Sequence, residues 1–216
     1  MKKLIIACMV LCTITVKAQS LESGTLSFQV GYDAMIHGTA SETTFFGVVV
    51  DRDTSGAVTS MFNADAQYSF APWFSAGVAF NIGSYLEDTA DQSNDGNHVS
   101  IIAFDARLYP VNNDKFNWYL GGSAGLTNLE INKKDALTPG VNYQYKYKSP
   151  ALGLFTGFNW YFFDVAGVFL QFEYSQQNFD LKSFSIDGAE QDLSQTTQSL
   201  ITKGGGIRLG VNFKLN

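Results

Sequence analysis

The chain has 216 residues, with 14 Lys and Arg against 20 Asp and Glu, a formal net charge of −6. This acidic balance argues against nucleic acid as a partner, because that binding rests on neutralising phosphates with Lys and Arg. Both cysteines, Cys8 and Cys12, fall near the amino end, so residues 19–216 must rely on a large core, a metal or a membrane rather than on disulfides.

The first predicted element is a leader. Lys2 and Lys3 form a positive n-region, Leu4 to Val16 is apolar, and Val16-Lys17-Ala18 before Gln19 reads as a small-residue cleavage site. Residues 1–18 are therefore expected to be a signal peptide, and residues 19–216 one domain without an internal linker. The leader is shorter than the ~20 apolar residues that a spanning helix needs, and no later segment qualifies. Cys8 after Ile5-Ile6-Ala7 loosely imitates a lipoprotein box, but cleavage there would leave almost no h-region.

From Gly24 onward the chain alternates apolar and polar residues with the period of a strand. The first strand, 24–36, carries Leu26, Phe28, Val30, Tyr32, Ala34 and Ile36 on one face, with Met35 interrupting the polar face. The second, 58–70, sets Phe62, Ala64, Ala66, Tyr68 and Phe70 against Asn63, Asp65 and Gln67. The third, 74–86, opposes Phe74, Val78, Phe80 and Ile82 to Ser75, Gly77 and Asn81. In the fourth, 99–109, Ile102, Phe104 and Leu108 face away from Asp105 and Arg107, while Ile101 and Ala103 blur the pattern. The fifth, 118–131, and the sixth, 151–162, are rich in glycine on the polar face. The seventh, 168–176, sets Val168, Leu170, Phe172 and Tyr174 against Gln171, Glu173 and Ser175. The eighth, 206–216, sets Ile207, Leu209, Val211, Phe213 and Leu215 against Arg208, Gly210, Asn212 and Lys214.

Eight amphipathic strands predict an all-β, antiparallel up-and-down barrel. A soluble lipocalin-like barrel or a sandwich would also use eight, so the polar face decides. It is mostly Gly, Ser, Thr, Asn and Gln, with isolated Asp65, Asp105, Arg107, Glu173 and Arg208, which suits a narrow hydrogen-bonded interior better than a solvated exterior. The apolar face is then expected to meet lipid. Trp73, Trp118 and Trp160 lie beside short connections, together with Tyr68, Phe70, Phe74, Tyr109, Phe116, Tyr119, Tyr161, Phe162 and Phe163, as an interfacial aromatic girdle requires. Short connections at 71–72, 110–117 and 163–167 alternate with long ones at 37–56, 88–97, 132–149 and 177–199, the pattern of periplasmic turns and external loops.

The last strand fits the polar-x-Gly-x-x-apolar-x-apolar pattern with Arg208, Gly210, Phe213 and Leu215. It thereby resembles the signal by which outer-membrane β-barrels present their final strand for assembly. In length, strand number and loop asymmetry, residues 19–216 resemble the small eight-stranded outer-membrane proteins of the OmpX, OmpA and OmpW kind. The resemblance implies a place in the cell outer membrane, contact with its lipid and lipopolysaccharide, handling by the barrel assembly machinery, and surface partners for the external loops. It brings no functional motif.

Eight strands leave an interior that side chains can fill, so a diffusion porin is not expected. Arg107 and Arg208 are predicted to pair with Asp65, Asp105 and Glu173 in a polar plug, since burying them singly is costly. His37 and His98 sit at external strand ends, with Asp88, Ser93, Asp95 and Ser100 nearby in sequence. The arrangement resembles in outline that of the barrel-shaped lipid A palmitoyltransferase, but the adjacent Asp-Ser pair of that enzyme is missing. No catalytic site, cofactor or metal is expected. Asp51-Arg52-Asp53-Thr54-Ser55-Gly56 and Asp91-Gln92-Ser93-Asn94-Asp95-Gly96 open like calcium loops, yet the closing position falls on Phe62 or Ile102, so ordinary turns are favoured. Tyr143, Tyr145 and Tyr147 alternate with Gln144, Lys146 and Lys148 as a strand rising above the membrane. The apolar run Phe45-Phe46-Gly47-Val48-Val49-Val50 is expected to bind a partner or to pack over the barrel mouth. The reading is a filled barrel with a structural or surface-interaction role. The alternative is a narrow channel or transporter for small or hydrophobic solutes, and a lipid A-modifying acyltransferase comes third.

Overall fold

The computed structural model describes residues 20–87, 96–134, 140–194 and 196–215. The leader with Cys8 and Cys12, together with Asp88, Ser93 and Asp95, lies outside the described residues. The strands are β1 (Leu26–Phe45), β2 (Val48–Ala71), β3 (Phe74–Glu87), β4 (His98–Asn112), β5 (Phe116–Lys134), β6 (Asn142–Tyr161), β7 (Ala166–Ile186), the two-residue β8 (Ala189–Glu190) and β9 (Thr196–Leu215). All pairings are antiparallel. Consecutive strands β1 to β7 pair in turn, β7 pairs with β9, and β9 pairs back with β1. Eight strands thus close a ring, and β8 only folds back onto the upper end of β7.

Burial is inverted relative to a soluble protein. Ile36, Phe62, Leu126 and Leu154 are each at least 67% exposed on the outer face, whereas Asp33, Ser75, Asn117 and Gln171 are fully buried inside. An apolar surface of that extent is stable only in lipid. The closed ladder satisfies every strand edge, as crossing a hydrocarbon layer demands. Among the described residues no helix is long and apolar enough to cross a membrane, and the crossing is made by strands.

The strands run further than the alternation suggests, mostly on the side away from the termini. Residues 37–56, expected as a loop, continue the β1–β2 hairpin, which pairs from Leu26↔Tyr68 to Phe45↔Val48 with one register shift between Thr43 and Thr44. It closes in a two-residue turn whose Phe46 (φ 48) and Gly47 (φ 77) both take left-handed backbone, as a type I′ turn requires. Much of 142–149 and 177–186 is likewise strand. Above the apolar belt both faces of a strand can be polar, so the contrast that reveals period two fades while the ladder continues. The hairpin position also corrects the expectation for its tip: Phe46 and Val48 are 66% and 65% exposed and do not pack over the mouth.

The lumen has two layers. Towards the external side, Met35, Met61, Tyr85, Val99, Leu129, Ile131, Tyr147, Phe179 and Leu200 form a buried apolar cluster, flanked by Ile101, Tyr145 and Leu181. Met35 and Ile101, which interrupt the sequence pattern, belong to this layer. Below it the inner face is polar.

Candidate functional site: the charged layer of the lumen

Strand register places Asp33 on β1, Asp65 on β2, Asp105 and Arg107 on β4, Glu173 on β7 and Arg208 on β9, all pointing inward. Arg107 donates through Nη2 to Asp65 Oδ2 at 3.1 Å and to Asp105 Oδ2 at 3.5 Å, and through Nη1 to Gln29 Oε1 at 2.7 Å. Arg208 lies 3.0 Å from Glu173, 3.3 Å from Asp33 and 3.7 Å from Asp65. Asp65 therefore joins the two arginines, and all five charged residues singled out from the sequence meet in one cluster. Asp33 is the member that sequence reasoning missed. It lies on the polar face of the first strand, so alternation alone could have included it.

The cluster extends by neutral groups across the lumen. Gln29 donates to Asn159 at 2.8 Å, and Asn159 to Asn117 at 2.6 Å. Gln171 donates to Glu173 at 3.0 Å and accepts from the Tyr119 hydroxyl at 3.0 Å. The side-chain amides of Asn63 on β2 and Asn81 on β3 meet at 2.7 Å. All eight barrel strands contribute a side chain to this layer. The guanidinium of Arg107 lies 5.0 Å from the ring centre of Tyr119 and 5.6 Å from that of Phe155, a cation–π arrangement in a desolvated site.

The mouth near the termini holds another feature absent from the sequence reading. Ser20 and Leu21 enter it. Leu21 is buried against Tyr109, Tyr119 and Phe155, its N–H donates to Asn112 Oδ1 at 3.1 Å, and its carbonyl accepts from Asn112 Nδ2 at 2.8 Å. Lys214 donates to the Ser20 carbonyl at 2.8 Å and lies over the Tyr161 ring at 4.7 Å. No alternation marks a two-residue inward turn, and nothing in the local pattern announces it.

Trp73 and Trp160 are exposed on the outer face near this mouth, and Trp118 is partly covered, its Nε1 donating to Thr156 at 2.8 Å. Tyr109, Tyr119 and Tyr161, expected among the girdle aromatics, are instead buried in the lumen. Their strand parity points inward, and each has polar or cationic neighbours there. His37 is buried, with Nε2 3.0 Å from Thr59 Oγ1, whereas His98 is exposed on the outer face and pairs across strands with Ser84 and Glu130. The two histidines occupy opposite faces of the wall. Asp51 to Gly56 lies in β2, and an extended ladder cannot wrap around a cation as a calcium loop does.

No protein-family model and no curated protein sequence matches the chain. Solved structures do. The outer membrane protein OprG from Pseudomonas aeruginosa superposes with a TM-score of 0.65 at 13% identity, over 93% of this chain and 100% of that one. The outer membrane protein AlkL, determined in lipid bilayers, superposes with a TM-score of 0.52 at 11% identity, over 94% and 96% of the two chains. The fold is that of a small outer-membrane β-barrel. With the apolar belt, that fold places the chain in the outer membrane. At these identities the likeness is one of backbone.

In this outer-membrane barrel the final strand is β9. Arg208 and Gly210 face the lumen, while Phe213 and Leu215 lie exposed on the lipid face. Gly210 pairs with Gly31 across the β1–β9 seam and with Phe169 on β7. A methyl group at either glycine would come within 2.8 Å of the Phe169 ring, so the two glycines make room for that ring inside the wall.

Proposed function

We propose that the chain is a plugged outer-membrane barrel with a structural and surface-interaction role. It stabilises the envelope and presents its external hairpins, and it contacts outer-leaflet lipid and lipopolysaccharide. The observation that supports this reading is the packing of the lumen among the described residues: all eight barrel strands contribute to the charged layer across it, and the cavities beside that layer and within the apolar layer are about 40 and 10 Å³, room for no more than a few isolated waters. Residues 1–18 serve as its signal peptide, and the β9 residues Arg208, Gly210, Phe213 and Leu215 as its assembly signal. No catalytic role is assigned, since His37 is committed to Thr59 inside the wall and His98 faces away from it.

Single-channel recording on the folded protein tests the plug. Silence at both polarities is expected, and steady ohmic conductance would overturn it. The second reading, a narrow conduit for small or hydrophobic solutes, draws on the apolar external layer around Met35, Met61 and Phe179. Uptake of such a solute into protein-containing vesicles would favour that reading.

A further inference from the structure

Two grooves lie one above the other on the outer wall of β4, β5 and β6. The lower, of about 680 Å³, is a trough in the apolar belt lined by Phe104, Ala106, Gly122, Ala124, Leu152 and Leu154. Ala106, Gly122 and Ala124 make the wall recede between the larger side chains. The upper, of about 260 Å³, is lined by His98, Ser100, Asn128, Lys146 and Lys148 among others. Register aligns them. Lys148 pairs with Asn128 and Asn128 with Ser100, while on the same strands Leu152 pairs with Ala124 and Ala124 with Phe104. Lys148 and Leu152 are four residues apart on one face, roughly 13 Å along the strand.

The cationic end of this strip lies away from the termini, on the external side. Its opposite end carries Trp160, Phe158 and Trp118 on the strands, with a single lysine, Lys115, in the connection just before β5. Two carboxylates adjoin the lysines: Glu130, which lines the upper groove opposite Lys146 and accepts from Gln144 Nε2 at 2.7 Å, and Asp180, which stands opposite Lys148 and lies 3.3 Å from Lys182. Among the described residues Lys146 and Lys148 form no ion pair. In an acidic chain, two unpaired lysines stacked above an apolar trough complement one kind of molecule, an amphiphile with an anionic headgroup and acyl chains.

We infer that this strip is a binding site for the phosphorylated glycolipid of the outer leaflet. Its phosphate lies on Lys146 and Lys148, its sugar hydroxyls meet His98, Ser100 and Asn128, and one acyl chain lies in the trough. The inference rests on the outer-membrane reading above and gives its lipid contact a location.

The test uses the folded barrel in neutral detergent micelles, titrated with bisphosphorylated lipid A and read by native mass spectrometry. One retained lipid A per barrel is expected. Lys146→Ala with Lys148→Ala, Ala124→Leu in the trough, or dephosphorylation of the lipid should each weaken retention about tenfold or more. Lys115→Ala, at the opposite end of the barrel wall, should leave it unchanged. Equal retention by the double-lysine variant, or phosphatidylglycerol bound as tightly as lipid A, would overturn the site. Circular dichroism and heat-dependent gel mobility on the same samples report the fold separately, so an unfolded or soluble chain is distinguished from a folded barrel without the site.

Discussion

Arg107 lies over the face of Tyr119 at 5.0 Å, and the hydroxyl of that tyrosine reaches Gln171, which in turn holds Glu173, a partner of Arg208. The two arginines are thus linked twice, through Asp65 and through this neutral relay. Removing Arg107 would leave Asp65 and Asp105 buried with one cation between them. Arg107→Ala is expected to destabilise the barrel by about 3–5 kcal/mol, and Arg107→Lys to recover only part, because an ammonium cannot reproduce the planar fork. Urea unfolding from lipid vesicles measures both, and an unchanged midpoint for the alanine variant would refute the account.

Leu21 and Asn112 tie the first described residues into the mouth near the termini. Leu21→Ala should cost about 2–3 kcal/mol if its burial is that of a core residue. Asn112→Ala removes its bonds to Leu21 and to the Pro72 carbonyl. In hydrogen exchange, both variants should lose protection at the Leu21 amide while the strand amides of β4 keep theirs. Loss of protection throughout the barrel would mean that the segment is not a separate closure.

Phe46 holds left-handed backbone at φ 48, a conformation that a bulky residue adopts at a cost and that Asn tolerates. Phe46→Asn is therefore expected to stabilise the external hairpin by about 1 kcal/mol. The readout is exchange protection of the amides from 42 to 51, which should rise. A fall would show that the exposed ring contributes more through its edge contact with Phe45 (centroids 4.5 Å apart) than the backbone loses.

Asp192 lies in the external connection after β8 and accepts from both the amide and the hydroxyl of Ser194, at 2.8 and 3.0 Å. These bonds hold its carboxyl below the usual range. A depressed folded pKa contributes stability above the ordinary aspartate value of about 3.9 that is lost as pH falls through the folded value. The Ser194 amide resonance should stay constant at neutral pH and shift only under more acidic conditions than a free aspartate requires. Asp192→Asn should abolish that titration.

Alternation made the barrel legible because a membrane strand in an eight-stranded ring has only two environments, lipid and lumen. It worked where those environments differ in polarity, as at Leu26 to Ile36 and Ile207 to Leu215. It failed where they converge. Met35 and Ile101 are apolar side chains in an apolar part of the lumen, so both faces of their strands look alike there. Above the belt, residues 39–44 and 51–55 are almost wholly polar on both faces, so the ladder continues where period two no longer shows. The charged layer could be read because isolated charges on an inward face have few partners to choose from. The inward turn of Leu21 depends on three-dimensional neighbours that no local pattern encodes, whereas the parity of Tyr109, Tyr119 and Tyr161 does point them inward and is masked only by their aromatic character.

Asp33 and Arg208 face each other directly across the β1–β9 seam, the join between the first and last strands. While the ring is open the arginine has no aspartate from β1 beside it, and each charge borders a half-formed trough. Closing the ladder brings in the hydrogen bonds and the counter-charge together, so the final join of the barrel seals and neutralises in one event. A strand that slipped by a single residue there would turn Arg208 towards lipid, and the electrostatics of the lumen therefore proofread the register of the wall.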